Sequence, residues 1–142
     1  MISVHPYITL NNTKEALDYY KEVLGATDVT RMPVGPEQAE QFGVPADKAE
    51  EMTMHSQFNI LGSTIMAADN FQKVEISYTG MSILLNVDAK DEKAMADAQA
   101  FWDHLDASGK VTVNMPYEKQ FWGGAMGDFT DAYGIRWMLH AQ

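Results

Sequence analysis

The 142-residue chain contains no cysteine and no long apolar run. Without cysteine, it cannot form a disulfide, a thiolate metal site or a thiol nucleophile. No segment approaches the roughly 18 consecutive apolar residues of a membrane-spanning helix. The first residues, 1–6, also lack the basic start and apolar core of a secretory signal. These absences predict a cytoplasmic protein that has no membrane partner.

Basic residues are also scarce. Ten lysines and arginines stand against twenty aspartates and glutamates, which gives a formal net charge of −10. A chain this acidic repels the phosphates of nucleic acids, so nucleic acid is not an expected partner. Hydrophobic residues make up 46% of the chain, and a chain of this length buries about 70% of the surface that its unfolded form exposes. One compact domain that needs no metal to fold is expected.

The first half of the chain predicts the order β-α-β-β-β. An apolar strand from Val4 to Leu10 precedes Asn12, whose spacing to Glu15 is that of a capping box. Apolar residues then recur at helical intervals as far as Gly25, a residue typical of helix C-termini. The remaining strands of this half are predicted over 26–32, 52–60 and 63–68.

Residues 33–50 interrupt this series of strands. They carry three prolines and two glycines among charged residues, a composition that is typical of loops. The segment is therefore predicted to be a mobile loop, the most protease-sensitive part of the chain and a candidate lid over a binding site.

The second half repeats the same order of elements. A predicted helix begins after Asp91, a residue favoured as a helix cap, and ends at Gly109. Pro116 is expected to end one of the strands. The strands of this half are predicted over 81–87, 110–115, 121–129 and 135–141.

This repeat divides the chain into a first module of residues 1–70, a linker over 71–80 and a second module of residues 81–142. One such module cannot bury a sheet face alone. The two sheets are therefore expected to curve around a shared cleft within one compact domain.

Three segments carry a family resemblance. They are the opening strand 4–10, the helix 16–25, which ends Tyr-Tyr-Lys-Glu-Val-Leu-Gly, and the closing segment 121–137, where Phe-Trp-Gly-Gly precedes Asp-Ala-Tyr-Gly-Ile-Arg-Trp. In this order they resemble the vicinal oxygen chelate superfamily, which has the glyoxalase and bleomycin-resistance fold, and in particular its PhnB-like branch. The resemblance implies an α+β fold of two βαβββ modules with paired curved sheets around a cleft, and a homodimer.

Metal enzymes of this superfamily hold a divalent cation with four side chains, two from each module. The resemblance places these positions at His5, Met66, Ser82 and Met138. Methionine sulfur is a soft ligand suited to Cu(I), and serine is a poor ligand, so Mg²⁺, Mn²⁺ or Ni²⁺ lacks the nitrogen and oxygen donors that it needs. The usual metal site is therefore predicted to be dismantled, and no cofactor is expected.

A rebuilt metal site is the alternative. Its candidate ligands are His5, His55 and His140. Strand histidines that pair with a polar neighbour are commoner than metal ligands. If the site exists, the protein is a divalent-metal-dependent isomerase, lyase or dioxygenase, in which the metal acts as a Lewis acid on adjacent substrate oxygens.

The ten methionines have two interpretations, core packing and an adaptable apolar pocket. For Met66 and Met138 the pocket is favoured, because the family places both positions toward the cleft. Phe121 and Trp122 offer stacking surfaces beside two glycines, or plug one end of the fold, whereas Trp102 and Trp137 fit the core or an interface. The predicted ligand-binding residues are His5, Met54, Met66, Phe121, Trp122 and Met138.

These residues predict a protein that binds a small apolar or aromatic molecule in a metal-free cleft. Whether it is an enzyme stays open, because no nucleophile motif is present. Members of the PhnB-like branch have carried the label demethylubiquinone methyltransferase, but an S-adenosylmethionine enzyme is expected to have a larger Rossmann-like fold with a glycine-rich first turn. A third possibility is a subunit whose own side chains close the cleft and whose interface is the functional part.

Overall fold

The computed structural model describes all 142 residues, in two compact units, Met1–Ile76 and Ser77–Gln142. The first unit contains β1 (Tyr7–Leu10), α1 (Thr13–Leu24), β2 (Thr27–Pro33), α2 (Pro36–Gln41), a 3-10 helix (Ala46–Glu51), β3 (Thr53–Ile60) and β4 (Ser63–Asp69). The second contains β5 (Ser82–Val87), α3 (Glu92–Ser108), β6 (Thr112–Lys119), β7 (Ala125–Thr130) and β8 (Arg136–Ala141). None of the helices has the length and apolar character needed to cross a membrane.

Each unit contains one open four-stranded sheet, and the two sheets have the same connectivity. The strand order is β1-β4-β3-β2 in the first unit and β5-β8-β7-β6 in the second. In both sheets the first and last strands of the unit pair in parallel, and all other pairs are antiparallel. The predicted α+β fold of two βαβββ modules is therefore confirmed.

Local capping signals set the ends of both long helices. The Asn12 side chain accepts a hydrogen bond from the backbone N–H of Glu15 at 3.2 Å, and Gly25 ends α1 in the left-handed region, with φ 64°. Asp91 and Gly109 do the same for α3. These four positions are those that the sequence predicted, because capping depends on a few adjacent residues.

The long helix of each unit packs against only one face of its sheet. The Tyr20 ring of α1 stacks on Phe58 of β3, with ring centroids 5.2 Å apart. In the second unit, Trp102 of α3 meets Phe129 edge-on at 5.8 Å, and Phe129 stacks on Trp137. All five side chains are buried, so Trp102 and Trp137 belong to the core. The opposite face of each sheet is called the helix-free face below.

Residues 33–50 are not the irregular loop that the sequence predicted. Pro36 begins α2 at the first helical position, where its missing N–H and fixed φ are tolerated. Val34, Ala39 and Ala49 are buried, and they form a small apolar cluster with four partly buried neighbours: Val44, Met52, Met54 and Phe71. Helices this short show no clear apolar periodicity, which is why the pattern missed them. The proposed lid and its protease sensitivity stay predictions.

The boundaries of β1 and β6 also differ from the prediction. β1 begins at Tyr7 rather than Val4, and β6 continues through Pro116 instead of stopping there. β6 is an edge strand, and its register with β7 shifts between Met115 and Glu118. Pro116 therefore lies where the ladder is already irregular, a position at which proline is tolerated in a strand.

The carboxylate of Asp69 ties the end of β4 to two other elements. Its Oδ1 accepts the N–H of Thr13, at the start of α1, at 2.8 Å, and its Oδ2 accepts the N–H of Thr53, at the start of β3, at 3.1 Å. Asp69 is buried, and a negative charge at a helix N-terminus is favourable. One side chain thus fixes where α1 and β3 begin relative to β4.

We expect Asp69→Ala to lower the free energy of unfolding by about 3 kcal/mol, because two buried N–H groups lose a charged acceptor. Urea denaturation measures this change. Asp18→Ala is the matched control, since the Asp18 side chain on α1 is 78% exposed, and it should change the stability by less than about 0.5 kcal/mol. Equal effects of the two substitutions would contradict the assigned role of Asp69.

Candidate functional site

The helix-free faces of the two sheets present equivalent positions. Met66 in β4 lies directly opposite Tyr7 of β1. Met138 in β8 lies directly opposite Leu84 of β5. Both methionines are half-buried. The two methionines therefore occupy the same place in their respective sheets.

His5 lies just before β1 and is exposed. Its Nδ1 is 3.2 Å from the backbone carbonyl of Thr64, and a carbonyl oxygen can only accept, so Nδ1 carries the proton. Its Nε2 lies 2.8 Å from the Ser3 hydroxyl. Thr64, two residues before Met66, is therefore level with His5. The predicted site residues His5 and Met66 are offset along the sheet rather than directly opposite each other.

The side chains that could act as metal ligands are spread through both units. Within neither unit do three or more His, Asp or Glu side chains come together in an arrangement that could hold a metal ion. His55 Nδ1 lies 3.1 Å from the Tyr7 hydroxyl, and His140 Nδ1 lies 2.8 Å from Asn86 Oδ1. Each of the candidate histidines, His5 included, thus has a hydrogen-bond partner within the protein.

Met54, predicted as a ligand-binding residue, does not lie on the helix-free face. Alternation along β3 puts Met54 on the side of Phe58, and its side chain packs against the small apolar cluster. The next residue, His55, takes the helix-free face. Met54 therefore contributes to the packing of the first unit.

Phe121 and Trp122 lie in the turn between β6 and β7, not in a strand as predicted. The Trp122 ring stacks on the His140 ring, with centroids 5.2 Å apart and an interplanar angle of 22°. A Cβ atom at Gly124 would overlap the Trp122 ring and the carbonyl oxygen of Ala141. The glycine thus makes room for Trp122, which stays 39% exposed, whereas Phe121 is fully exposed.

Alternate residues of β8 line the helix-free face of the second sheet. In chain order they are Arg136, Met138 and His140. At about 6.6 Å for each pair of residues, the row spans about 13 Å. Leu84 lies beside Met138 and is 49% exposed, and Trp122 stacks on His140. The row therefore runs from a cationic group through an apolar middle to an aromatic pair.

Arg136 is held by a carboxylate on the same face. Its Nε donates to both oxygens of Asp128, at 3.0 and 2.9 Å, and its Nη2 donates to Oδ2. Asn114 adds a third donor at 3.0 Å. The hydrogen bonds from Arg136 hold the pKa of the Asp128 carboxyl below its ordinary value; burial acts in the opposite direction, and Asn114 adds to the lowering. The pair is thus an ionised, geometrically fixed unit.

Several residues of these two faces were not predicted from the sequence. They are Tyr7, Leu84, Asp128 and Arg136. Period-two alternation from Met138 could have placed Arg136 on the same face, since it lies within the closing segment that carries the resemblance. The pairing of Asp128 with Arg136, in contrast, depends on the register between β7 and β8, which neither strand sets alone.

The chain belongs to the family described as 3-demethylubiquinone-9 3-methyltransferase, whose model matches residues 4–140. This description is the label associated above with the PhnB-like branch, so the predicted membership of the vicinal oxygen chelate superfamily is confirmed. The family name refers to a methyl transfer. We predict that this chain does not catalyse that transfer, because it has two open mixed sheets in place of a doubly wound parallel sheet.

Three proteins illustrate these relationships. The crystal structure of protein PA1353 from Pseudomonas aeruginosa superimposes on this chain with a TM-score of 0.70 and a sequence identity of 30%. The match covers 100% of this chain and 98% of that chain. Protein YjdN from Escherichia coli K12 is 27% identical over 95% of this chain and 92% of its own length. The glyoxylase/bleomycin resistance protein/dioxygenase domain from Frankia sp. EAN1pec has a TM-score of 0.65 at 15% identity, over 99% of this chain and 92% of that one, and shows the shared fold.

We expect the stability difference between the wild type and Asp128→Asn to be largest near neutral pH and to shrink in acid. Because the pKa of Asp128 is lowered in the folded protein from its ordinary value of 3.8, the unfolded chain takes up the proton first. Asp128 therefore contributes its full stabilisation of the folded state above the ordinary pKa. This stabilisation is lost as the pH falls through the lower pKa that the group has in the folded protein. Urea denaturation of both proteins from about pH 7 to about pH 2.5 measures the difference; a difference of constant size would contradict the ion pair.

Proposed function

We propose that this protein binds a small planar molecule, apolar or aromatic, on the helix-free face of its second sheet, without a metal ion. The observation that carries this proposal is the stacked pair of Trp122 and His140, in which the indole stays 39% exposed. A third ring can extend such a stack, and an offset aromatic contact contributes about 0.5–1.5 kcal/mol beyond the area that it buries.

The surroundings of this pair support an apolar ligand. Met126 lies directly opposite His140, and Met138 lies two residues before it on the same face. Both methionines are half-buried, and unbranched thioether side chains repack around ligands of different shapes. Leu84 adds exposed apolar surface beside Met138. The aromatic pair therefore adjoins apolar side chains, and the carboxylate of Asp128, directly opposite Met138, is paired with Arg136.

A role as a divalent-metal-dependent isomerase, lyase or dioxygenase is the alternative. It has less support, because the positions that the superfamily uses for ligands hold two thioethers and a serine beside one histidine. Catalysis of a reaction, a homodimer, and a cytoplasmic location stay predictions for this chain.

A titration with 2-naphthalenemethanol tests the binding proposal. With methionine labelled in its methyl carbon, NMR should show ring-current shifts for the methyl groups of Met126 and Met138, because a ring stacked on Trp122 lies beside them. Met54 is the internal control, since it packs in the small apolar cluster of the first unit, and its signal should not move.

Trp122→Leu removes the stacking surface and keeps apolar volume, so we expect it to weaken binding of this alcohol about tenfold, a change of about 1.4 kcal/mol. Phe121→Leu is the matched control in the same turn, and it should leave the affinity within a factor of about two. Shifts of Met54 equal to those of Met138, or unchanged affinity in Trp122→Leu, would contradict the proposed site.

Elemental analysis separates the metal-free proposal from the alternative. We expect protein purified without chelator, and then incubated with Ni²⁺, Mn²⁺ or Zn²⁺ and desalted, to retain far less than one metal ion per chain, because hard and borderline cations find no matching donor set. His5→Ala should retain the same small amount. Stoichiometric metal that is lost in His5→Ala would support the metal enzyme and contradict our proposal.

A further inference from the structure

A shallow depression of about 270 Å³ lies where β5 and β8 begin. It is lined by residues 78–82, Gly134 and Arg136, all in the second unit. Ser82 and Arg136 are directly paired across the two parallel strands, and both residues line the depression. The volume suits one functional group of a ligand rather than a whole molecule.

Arg136 has hydrogen-bond donors that the protein does not use. Asp128 engages Nε and Nη2, whereas Nη1 makes no hydrogen bond within the protein. The Arg136 side chain is 53% exposed. Because Asp128 fixes the plane of the guanidinium, the two N–H groups of Nη1 are held in a defined direction before any ligand arrives.

The other arginine of the chain shows the contrast. Arg31 donates through Nη1 to the carbonyl of Met52 and the hydroxyl of Thr53, and through Nη2 to the carbonyl of Glu50. Both terminal nitrogens of Arg31 thus serve the internal structure of the first unit. In Arg136, by contrast, the terminal nitrogen Nη1 can donate to an acceptor outside the protein.

The acidic groups around the depression are already compensated. Asp128 is paired with Arg136. The carboxylate of Asp131 accepts the backbone N–H groups of Tyr133 and Ile135 through Oδ1, at 2.8 and 3.0 Å, and the indole N–H of Trp137 through Oδ2, at 2.9 Å. Neither carboxylate therefore needs the free N–H groups of Arg136.

Tyr78 contributes a neutral phenol to the rim of the depression. Burial, and then the negative charge of Asp131, raise its pKa above the ordinary value of 10.0. The rim therefore carries a neutral phenol and the hydroxyl of Ser82, and its only cation is Arg136. This is a donor-rich environment of the kind that accepts an oxygen anion.

We infer that the depression binds the carboxylate of a planar aromatic acid whose ring lies along Met138 toward the stacked pair of Trp122 and His140. The inference rests on the proposed function and names the class of ligand for the same face. Arg136 and Met138 are two residues apart on one strand, about 6.6 Å, which matches a carboxylate attached directly to a fused ring system. A carboxylate on a guanidinium forms short, charge-assisted hydrogen bonds.

Calorimetric titrations with 2-naphthoate and 2-naphthalenemethanol test this inference, since the two probes differ only in the charged group. We expect the wild type to bind the acid about tenfold more tightly than the alcohol. Arg136→Lys keeps a cation for Asp128 but removes the planar fork, so it should reduce the ratio of the two affinities from about ten to about one. Arg31→Lys is the matched control and should keep the preference.

Ser82→Ala provides a second variant that leaves the Arg136–Asp128 pair intact, and it should reduce the affinity for the acid by a factor of about three. Equal binding of both probes by the wild type would overturn the inference and leave the proposed function standing. Binding of neither probe would overturn both. An equal loss of both probes in Arg136→Lys would assign Arg136 to the integrity of the sheet alone and would also overturn the inference.

Discussion

The structure depends on one constraint, that a single long helix covers only one face of a four-stranded sheet. In each unit that helix packs through an aromatic side chain, Tyr20 on Phe58 in the first and Trp102 on Phe129 in the second. Because successive side chains of a strand alternate between faces, burial on one side assigns every second residue to the other. The candidate site is therefore a direct consequence of how the core is formed.

The two units use this shared plan differently. Equivalent methionines, Met66 and Met138, occupy the middle of both helix-free faces. Beside Met66, the hydroxyl of Tyr7 meets His55, whereas the strand that carries Met138 also presents Arg136. One architecture thus provides two chemically distinct surfaces, which is why membership of the family restricts the fold far more than it restricts the ligand.

The electrostatic environment of Arg136 on the second sheet depends on local hydrogen-bonded pairs rather than on the net charge of the chain. The chain is strongly acidic, yet the carboxylates of Asp128, which pairs with Arg136, and of Asp131 accept hydrogen bonds from fixed N–H donors. Short-range hydrogen bonds of this kind are screened little by salt, in contrast to the diffuse field of exposed charges. A local site for an anion is therefore compatible with a chain that repels extended polyanions such as nucleic acid.

The sequence by itself determined the order of the strands and of the two long helices, the helix ends at Asn12, Gly25, Asp91 and Gly109, and the family, because these depend on neighbouring residues and on period. Only the tertiary structure decided which side chains share a surface. In the folded protein, Met54 packs against the small apolar cluster, Trp122 stacks on His140, and Asp128 accepts hydrogen bonds from Arg136. The physical reason is that strand register and turn conformation arise from contacts between segments distant in the chain, and a shift of one residue would exchange the two faces of a sheet.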